Sequence, residues 1–195
     1  SGQIFTISDE TEKLLGSLED KIEIYWIVQS GQEDGTISKL LDRYVSMSDM
    51  VSLTKKDPDV YPTFAQQYTS GTVYNNSLVV VCGERYRYVD YGDIYQYDYS
   101  NYYTTGSYEV SFAGENALTS AIGYVVNTEL PKLYVLTGHG ESTLSSDYQS
   151  AVQSANIDTE EMSLLTAGEV PEDADALLIY APQSDVSEKE LTMLQ

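Results

Sequence analysis

The chain has 195 residues, 42% of them hydrophobic, with 31 acidic and 10 basic side chains and a formal net charge of −21. That length allows one large domain or two small ones, each with a core of its own. The charge repels phosphate backbones and anionic lipid surfaces, so nucleic acid is excluded as a partner class, and the acidity reads as the solvated surface of an extracytoplasmic domain.

In chain order, Ser8 reads as the N-cap of a first helix. Asp9 and Glu10 sit in its first turn, where carboxylates meet the positive end of the helix dipole. Leu14, Leu15 and Leu18 give this helix its apolar face. Lys21 to Val28 is a strand, and Gln29 to Gly35 a polar loop. A second helix starts near Thr36, with Ile37, Leu40, Leu41, Tyr44 and Val45 on one stripe. Met50 to Thr54 is a short strand. Asp57-Pro58-Asp59 and Tyr61-Pro62 then break the chain ahead of a short helical stretch around Phe64 to Tyr68. Ser77 to Cys82 and Arg85 to Val89 form a hairpin around Gly83-Glu84. Cys82 is the single cysteine, so no intrachain disulfide forms, and in an apolar run it reads as a small buried hydrophobe. A helix from Glu115 to Val126 carries Ala117, Leu118, Ala121, Ile122 and Val125 on one face. This β-α-β-α-β-β-α order resembles the thioredoxin fold. The loop Gln29 to Gly35, however, contains no cysteine, which excludes dithiol chemistry in this half.

Tyrosine is the compositional outlier, with 18 residues, nine of them between Tyr86 and Tyr108. Two readings of this insert (about residues 86–110) stand side by side. It is a long hairpin whose rings pack on the domain. Alternatively it is a surface for a protein or a glycan, with Tyr95, Tyr97, Tyr99, Tyr102 and Tyr103 as the contact residues.

Thr128 to Pro131 reads as a linker, dividing the chain into residues 1–128 and 132–195. Beyond it a strand, Leu133 to Thr137, runs into the turn Gly138-His139-Gly140-Glu141, which holds the single histidine. A helix is expected from Leu144 to Ala155, with Leu144, Tyr148, Ala151, Val152 and Ala155 as its stripe and Asn156 as C-cap. Met162 to Leu165 and Ala176 to Ala181 read as buried strands, and short buried strands alternating with helices predict a parallel sheet. Ser187-x-x-Glu190 is a capping box, with Val186 and Leu191 as its staple. Both ends look cut: Ser1-Gly2 resembles a tag remnant, and the last helix is short. No apolar run of membrane-spanning length and no signal peptide is present.

Open α/β sheets build ligand sites at the carboxyl ends of their strands, so Gly138, His139, Gly140 and Glu141 are the binding-site candidates. An enzyme of hydrolase or amidotransferase type would use His139 as base and Glu141 as its orienting or acid group, with Ser142, Ser145 or Ser146 as the hydroxyl. No G-x-S-x-G elbow, no cysteine in this half and no second histidine accompany them, and no calcium-loop spacing occurs. The plainer reading is that the two glycines supply unusual backbone angles while His139 and Glu141 hydrogen-bond the loop. No catalytic residue, metal or cofactor is assigned.

Four stretches together resemble the auxiliary component of uncharacterised ABC transport systems of the gliding-motility GldG type. They are Phe5-Thr6-Ile7-Ser8, the helix Gly114-Glu115-Asn116-Ala117-Leu118-Thr119-Ser120-Ala121-Ile122, the strand and turn Tyr134 to Glu141, and Asp173 to Pro182 before Ser187-Glu188-Lys189-Glu190-Leu191. The resemblance implies a thioredoxin-like half followed by a Rossmann-like, amidotransferase-like half. It also implies a place on the outer face of the cytoplasmic membrane in a membrane-tethered protein. The expected function is a non-enzymatic accessory or substrate-recognition domain. Its partners would be an ABC permease and ATPase, a sister membrane subunit, or a secreted cargo or glycan. The tyrosine-rich insert has no counterpart in that pattern.

Overall fold

Ser8 accepts a hydrogen bond from the Thr11 amide and caps α1 (Asp9–Gly16), as its position before two carboxylates requires. The structure, a computed structural model, describes residues 6–195, apart from the side chains at 146, 147, 150 and 154. Ser1-Gly2 and Phe5 lie outside the described residues. The chain forms two compact units, residues 1–128 and 129–195, and both are α/β.

In the first unit β1 (Ile22–Ile27) leads to α2 (Gly35–Met47), which is capped by the Asp34 carboxylate accepting from the Thr36 and Ile37 amides. Next come β2 (Val51–Lys56), a 3-10 turn at Phe64–Gln67, β3 (Ser77–Cys82) and β4 (Arg85–Val89). The strands lie in the order β2-β1-β3-β4. The β1–β2 pair is parallel, whereas β1–β3 and β3–β4 are antiparallel. Central position explains the sequence of β1 and β3: Ile22, Ile24, Val79 and Val80 are fully buried, while the edge strand β2 is polar at most positions. Between β4 and the long helix α5 (Gly114–Val126) stand α3 (Tyr91–Ile94), β5 (Tyr95–Asp98), α4 (Tyr102–Thr105) and β6 (Glu109–Phe112). Strands β5 and β6 pair antiparallel as a separate two-stranded sheet. The core joins Leu15 of α1, Ile37, Leu40, Leu41 and Tyr44 of α2, and Leu118, Ala121, Ile122 and Val125 of α5 to the four-stranded sheet. Val45 departs from the expected stripe and is 36% exposed. It stands roughly 80° round the helix from Ile37, at the edge of the apolar face.

The second unit contains β7 (Lys132–Leu136), α6 (Ser146–Ser154), β8 (Asp158–Met162), α7 (Leu164–Ala167), β9 (Ala176–Leu178) and α8 (Glu188–Met193). The sheet order is β8-β7-β9, and both pairings are parallel. Its core is small: Tyr134, Leu136, Met162 and Leu164. Four expectations are corrected here. The strand expected at Met162 to Leu165 runs instead from Asp158 to Met162, and Leu164 already belongs to α7. An edge strand needs no apolar alternation, so Asp158 to Glu161 hid it. The strand expected at Ala176 to Ala181 ends at Leu178, with Ile179 and Tyr180 exposed, because it too lies at an edge. Helix α6 starts at Ser146 rather than Leu144, since the Ser145 hydroxyl accepts from the Tyr148 amide as N-cap, and Val152 is the buried member of its stripe. Asn156 stands one residue beyond the C-cap, with φ 55, where the left-handed region suits asparagine. Among the described residues no helix is long and apolar enough to cross a membrane.

Candidate functional site

The end of β7 is stitched to β8 before the chain turns. The Thr137 amide donates to the Met162 carbonyl at 2.8 Å, and the Thr137 hydroxyl donates to the same oxygen at 3.1 Å. The turn then passes through Gly138 at φ 116 and Gly140 at φ 72, conformations that side chains other than glycine resist. A β-carbon on Gly140 would stand 3.0 Å from Gln183 Cβ, so space as well as backbone selects glycine there. The His139 carbonyl accepts from the Gln183 and Ser184 amides at 2.8 and 3.1 Å, and the Ser142 amide donates to Tyr180 at 3.2 Å. Two strands' worth of backbone thus hold the turn against the segment that leads into α8.

The imidazole of His139 lies between two carboxylates. Its Nδ1 is 3.0 Å from Glu141 Oε1, and its Nε2 is 3.0 Å from Glu190 Oε1. All three side chains are sealed, at 6%, 4% and 2% exposure. The His139 amide also donates to Glu141 Oε2 at 2.7 Å. On Glu190 the second oxygen accepts from the Ser187 amide at 2.9 Å and its hydroxyl at 2.7 Å, completing the capping box of α8. Among the described residues Glu190 Oε1 makes no hydrogen bond of good geometry, and its contact with the ring is the 3.0 Å approach to Nε2.

A neutral imidazole carries one N–H, and facing a carboxylate on each nitrogen calls for two. Glu190 first and Glu141 second accordingly raise the His139 pKa above its ordinary 6.5. Glu190 is lowered to about 2, chiefly by the Ser187 amide and hydroxyl and then by His139. Burial pushes Glu141 upward, but its own amide, the His139 amide and the imidazole outweigh that and leave it lowered. The raised pKa favours the protonated ring between these two carboxylates.

That charge state bears on chemistry. A general base needs a ring nitrogen with a free lone pair in reach of a hydroxyl, and both His139 nitrogens face carboxylates instead. The Ser145 hydroxyl caps α6, and the Ser184 hydroxyl reaches the His139 carbonyl, not its ring. The side chain of Ser146 lies outside the described residues. Among the described residues no group of three or more His, Cys, Asp and Glu stands close enough together to hold a metal. Of the sequence candidates, Gly138, His139, Gly140 and Glu141 do come together. Glu190 joins them unforeseen, because its capping box accounted for one of its oxygens and left the other unassigned.

In the first unit the loop after β1 is closed by two asparagines. The Asn76 side chain accepts from Trp26 Nε1 at 3.1 Å and the Asp34 amide at 2.9 Å, and donates to the Gln32 carbonyl at 3.0 Å. Asn75 and Gln29 bond each other twice, at 2.9 and 2.8 Å. Cys82 sits at the far end of β3, its thiol pKa raised by burial and by Asp20.

The tyrosine insert divides in two. Tyr95 is half-buried: its hydroxyl donates to both Asp34 oxygens at 3.1 Å, and its ring lies 5.2 Å from those of Tyr91 and Phe112. It therefore anchors the insert to the N-cap of α2. Tyr97, Tyr99, Tyr102 and Tyr108 are about half exposed and Tyr103 is 97% exposed. They form a contiguous ring cluster, with Tyr97 and Tyr99 stacked at 6.2 Å and Tyr108 against both.

The motif residues at the two ends of this unit also meet. Glu115 Oε1 accepts from the Ser8 amide at 2.8 Å and the Thr11 hydroxyl at 2.9 Å, while Thr119 bonds Thr11 at 2.7 Å and the Tyr44 hydroxyl at 2.6 Å. Glu115 and Thr119 are thus the polar joint between α1, α2 and α5. Burial pushes the Tyr44 phenol up to about 12.

A family model described as "Domain of unknown function (DUF7088)" matches residues 1–89, ending with β4, so it takes in only the first residues of the tyrosine-rich insert and none of the second unit. Among solved structures the chain is similar to the NTD_N/C domain of alkylhydroperoxide reductase AhpF from Enterococcus faecalis (V583). That likeness has 15% identity and a TM-score of 0.41, and covers 82% of this chain and 79% of that one. No curated protein matches the sequence.

Proposed function

We propose that the chain is a non-enzymatic, extracytoplasmic accessory domain of an ABC-type transport system, with a thioredoxin-like first unit and a Rossmann-like second unit. The observation that carries the non-enzymatic part is the His139 imidazole, sealed between Glu141 and Glu190, each ring nitrogen 3.0 Å from a carboxylate oxygen. The β2-β1-β3-β4 order with a parallel first pair supports the thioredoxin-like assignment, and the all-parallel β8-β7-β9 sheet supports the Rossmann-like one. A loop after β1 that is filled by Asn75 and Asn76 contacts and has no thiol favours a scaffold over a redox centre. The transport assignment rests on the ordered GldG-type sequence pattern. On this reading Glu115, Thr119, Gly140 and Glu141 in that pattern maintain the fold of a partner-binding piece.

The test has two arms. Peptide, ester, glutamine and glycan substrates are incubated with the wild-type chain and with His139→Ala, and no turnover attributable to His139 is expected. Turnover that disappears in the variant would overturn the non-enzymatic reading. Separately, the full-length protein is expected to co-purify from detergent-solubilised membranes with an ATPase and a permease; purification without either would remove the transport assignment.

A second reading is favoured by the exposure of Tyr97, Tyr99, Tyr102, Tyr103 and Tyr108. Exposed, mutually braced rings give rigid contact area at little entropic cost, as protein- and glycan-binding surfaces use them. It is compatible with the first reading, as the surface through which such a domain meets cargo.

A further inference from the structure

At the carboxyl ends of the parallel strands β1 and β2, Ile27 and Lys56 are register partners. The chain that follows them walls a cavity of about 270 Å³. Parallel strands of open α/β sheets present ligand sites at this end. Tyr61, Phe64, Tyr74, Pro58 and Pro62 are among the lining residues, and Lys56 is the cationic one.

The two neighbouring lysines are treated differently. Successive strand residues point to opposite faces, and Lys55 is paired with Glu33 at 3.0 Å. Lys56 is half-buried among aromatic rings, its Nζ 4.4 Å from the centroid of Tyr61, 5.1 Å from Phe64 and 5.8 Å from Tyr25. Among the described residues no carboxylate lies within ion-pairing distance of it. Its ammonium, held among three rings on the cavity wall, is the charged group that a ligand entering there would meet.

We propose that this cavity binds a monocarboxylate carried on one apolar body the size of a large side chain, with the carboxylate on Lys56 Nζ and the body against Tyr61 and Phe64. The volume lies near the lower end of the roughly 300–1,000 Å³ typical of ligand pockets, which suits a single ring or a branched aliphatic group. One ammonium satisfies one carboxylate, and its partial burial strengthens that charge-assisted bond. A phosphate group would require further donors, and the only other side-chain amides on the wall are Gln66 and Asn75, the latter already bonded to Gln29. The net charge of −21 further penalises multiply charged anions. Two sources share this chemistry: a free carboxylic acid, and the C-terminal residue of a peptide. The proposal stands on the first unit and is independent of the transport assignment.

The probes are 3-phenylpropanoate and acetyl-Gly-Gly-Phe with a free carboxylate, each compared with its primary amide, titrated into the whole chain and followed by amide NMR shifts. Saturable shifts are expected at Ile27, Gly71 and Asn75 for the acids and not for the amides. Binding by 3-phenylpropanoate identifies a free-acid site, and binding by the peptide acid alone identifies a C-terminus reader. Lys56→Met keeps the apolar stem and is expected to weaken acid binding roughly tenfold or more. Tyr61→Ala, at an exposed ring, is expected to weaken both acids while preserving their advantage over the amides. No saturable shift with either acid, amides that bind as well as acids, or Lys56→Met binding unchanged in a variant whose spectrum shows it folded would each overturn the proposal.

Discussion

The two units solve the same problem with different means. In the first, apolar side chains from three helices close over a four-stranded sheet, and polar groups enter the interior chiefly to join helix ends, as Glu115 and Thr119 do. In the second, three short strands give a core of four residues, and the buried centre of the GHGE turn is polar: one imidazole between two carboxylates. Hydrophobic burial is insensitive to pH, whereas a clamped imidazolium holds only while its proton stays. The contrast therefore teaches that the two units answer to different variables.

The hardest way to break the comparison is in the apolar core. Leu41 is fully buried between α2 and the sheet, and Leu41→Ala is expected to cost about 2–5 kcal/mol in urea unfolding of the first unit's signals. A loss under ~1 kcal/mol would mean that the core is not what holds this unit. Next is the polar joint. Thr119→Val removes one of the partners of the Tyr44 hydroxyl and of Thr11, leaving each its bond to Glu115, and is expected to cost about 1–3 kcal/mol, measured the same way. An unchanged midpoint would make the joint decorative.

The smallest effect, and the sharpest, is pH dependence in the second unit. Because the His139 pKa is raised in the fold, its proton contributes stability fully below the ordinary 6.5, and that contribution is lost as pH rises through the folded value. Glu190 works in the opposite direction: its contribution is present above the ordinary 4.5 and is lost as pH falls toward about 2. Stability of the second unit is thus expected to peak between those ordinary values. His139 is the single histidine, so its ring proton titration by NMR is unambiguous. A midpoint above 6.5 is expected, moving down in Glu190→Gln. A wild-type midpoint at or below 6.5 would show that the clamp does not hold a proton.

Legibility in the sequence followed how local each signal was. Ser8, Asp34 and the Ser187-Glu190 box mark helix starts through bonds spanning two or three residues, so the N-caps at Ser8 and Ser187 are readable without tertiary information. The central strands β1, β3 and β7 show as apolar runs. The edge strands do not: β8 reads Asp158-Thr159-Glu160-Glu161-Met162, and its strand character comes from pairing with β7. The glycines of the GHGE turn were legible as backbone requirements, and His139 with Glu141 as a pair. Glu190 was not, because nearly fifty residues separate it from the turn and its local role in the cap already explained its presence.

What the chain dictates by itself is set by its composition and by neighbours in sequence: a net charge of −21, the absence of a dithiol after β1, the stripes on α2 and α5, and a glycine-flanked histidine at the end of a buried strand. Tertiary structure alone decided which charges meet. It delivered a second carboxylate to the imidazole, set Lys56 among aromatic rings, and tied Tyr95 to Asp34 while leaving Tyr103 in solvent. Helical and strand periodicities are properties of a few consecutive residues, whereas the protonation of a buried ring or the pairing of an ammonium depends on groups that only the folded chain brings within a few ångströms.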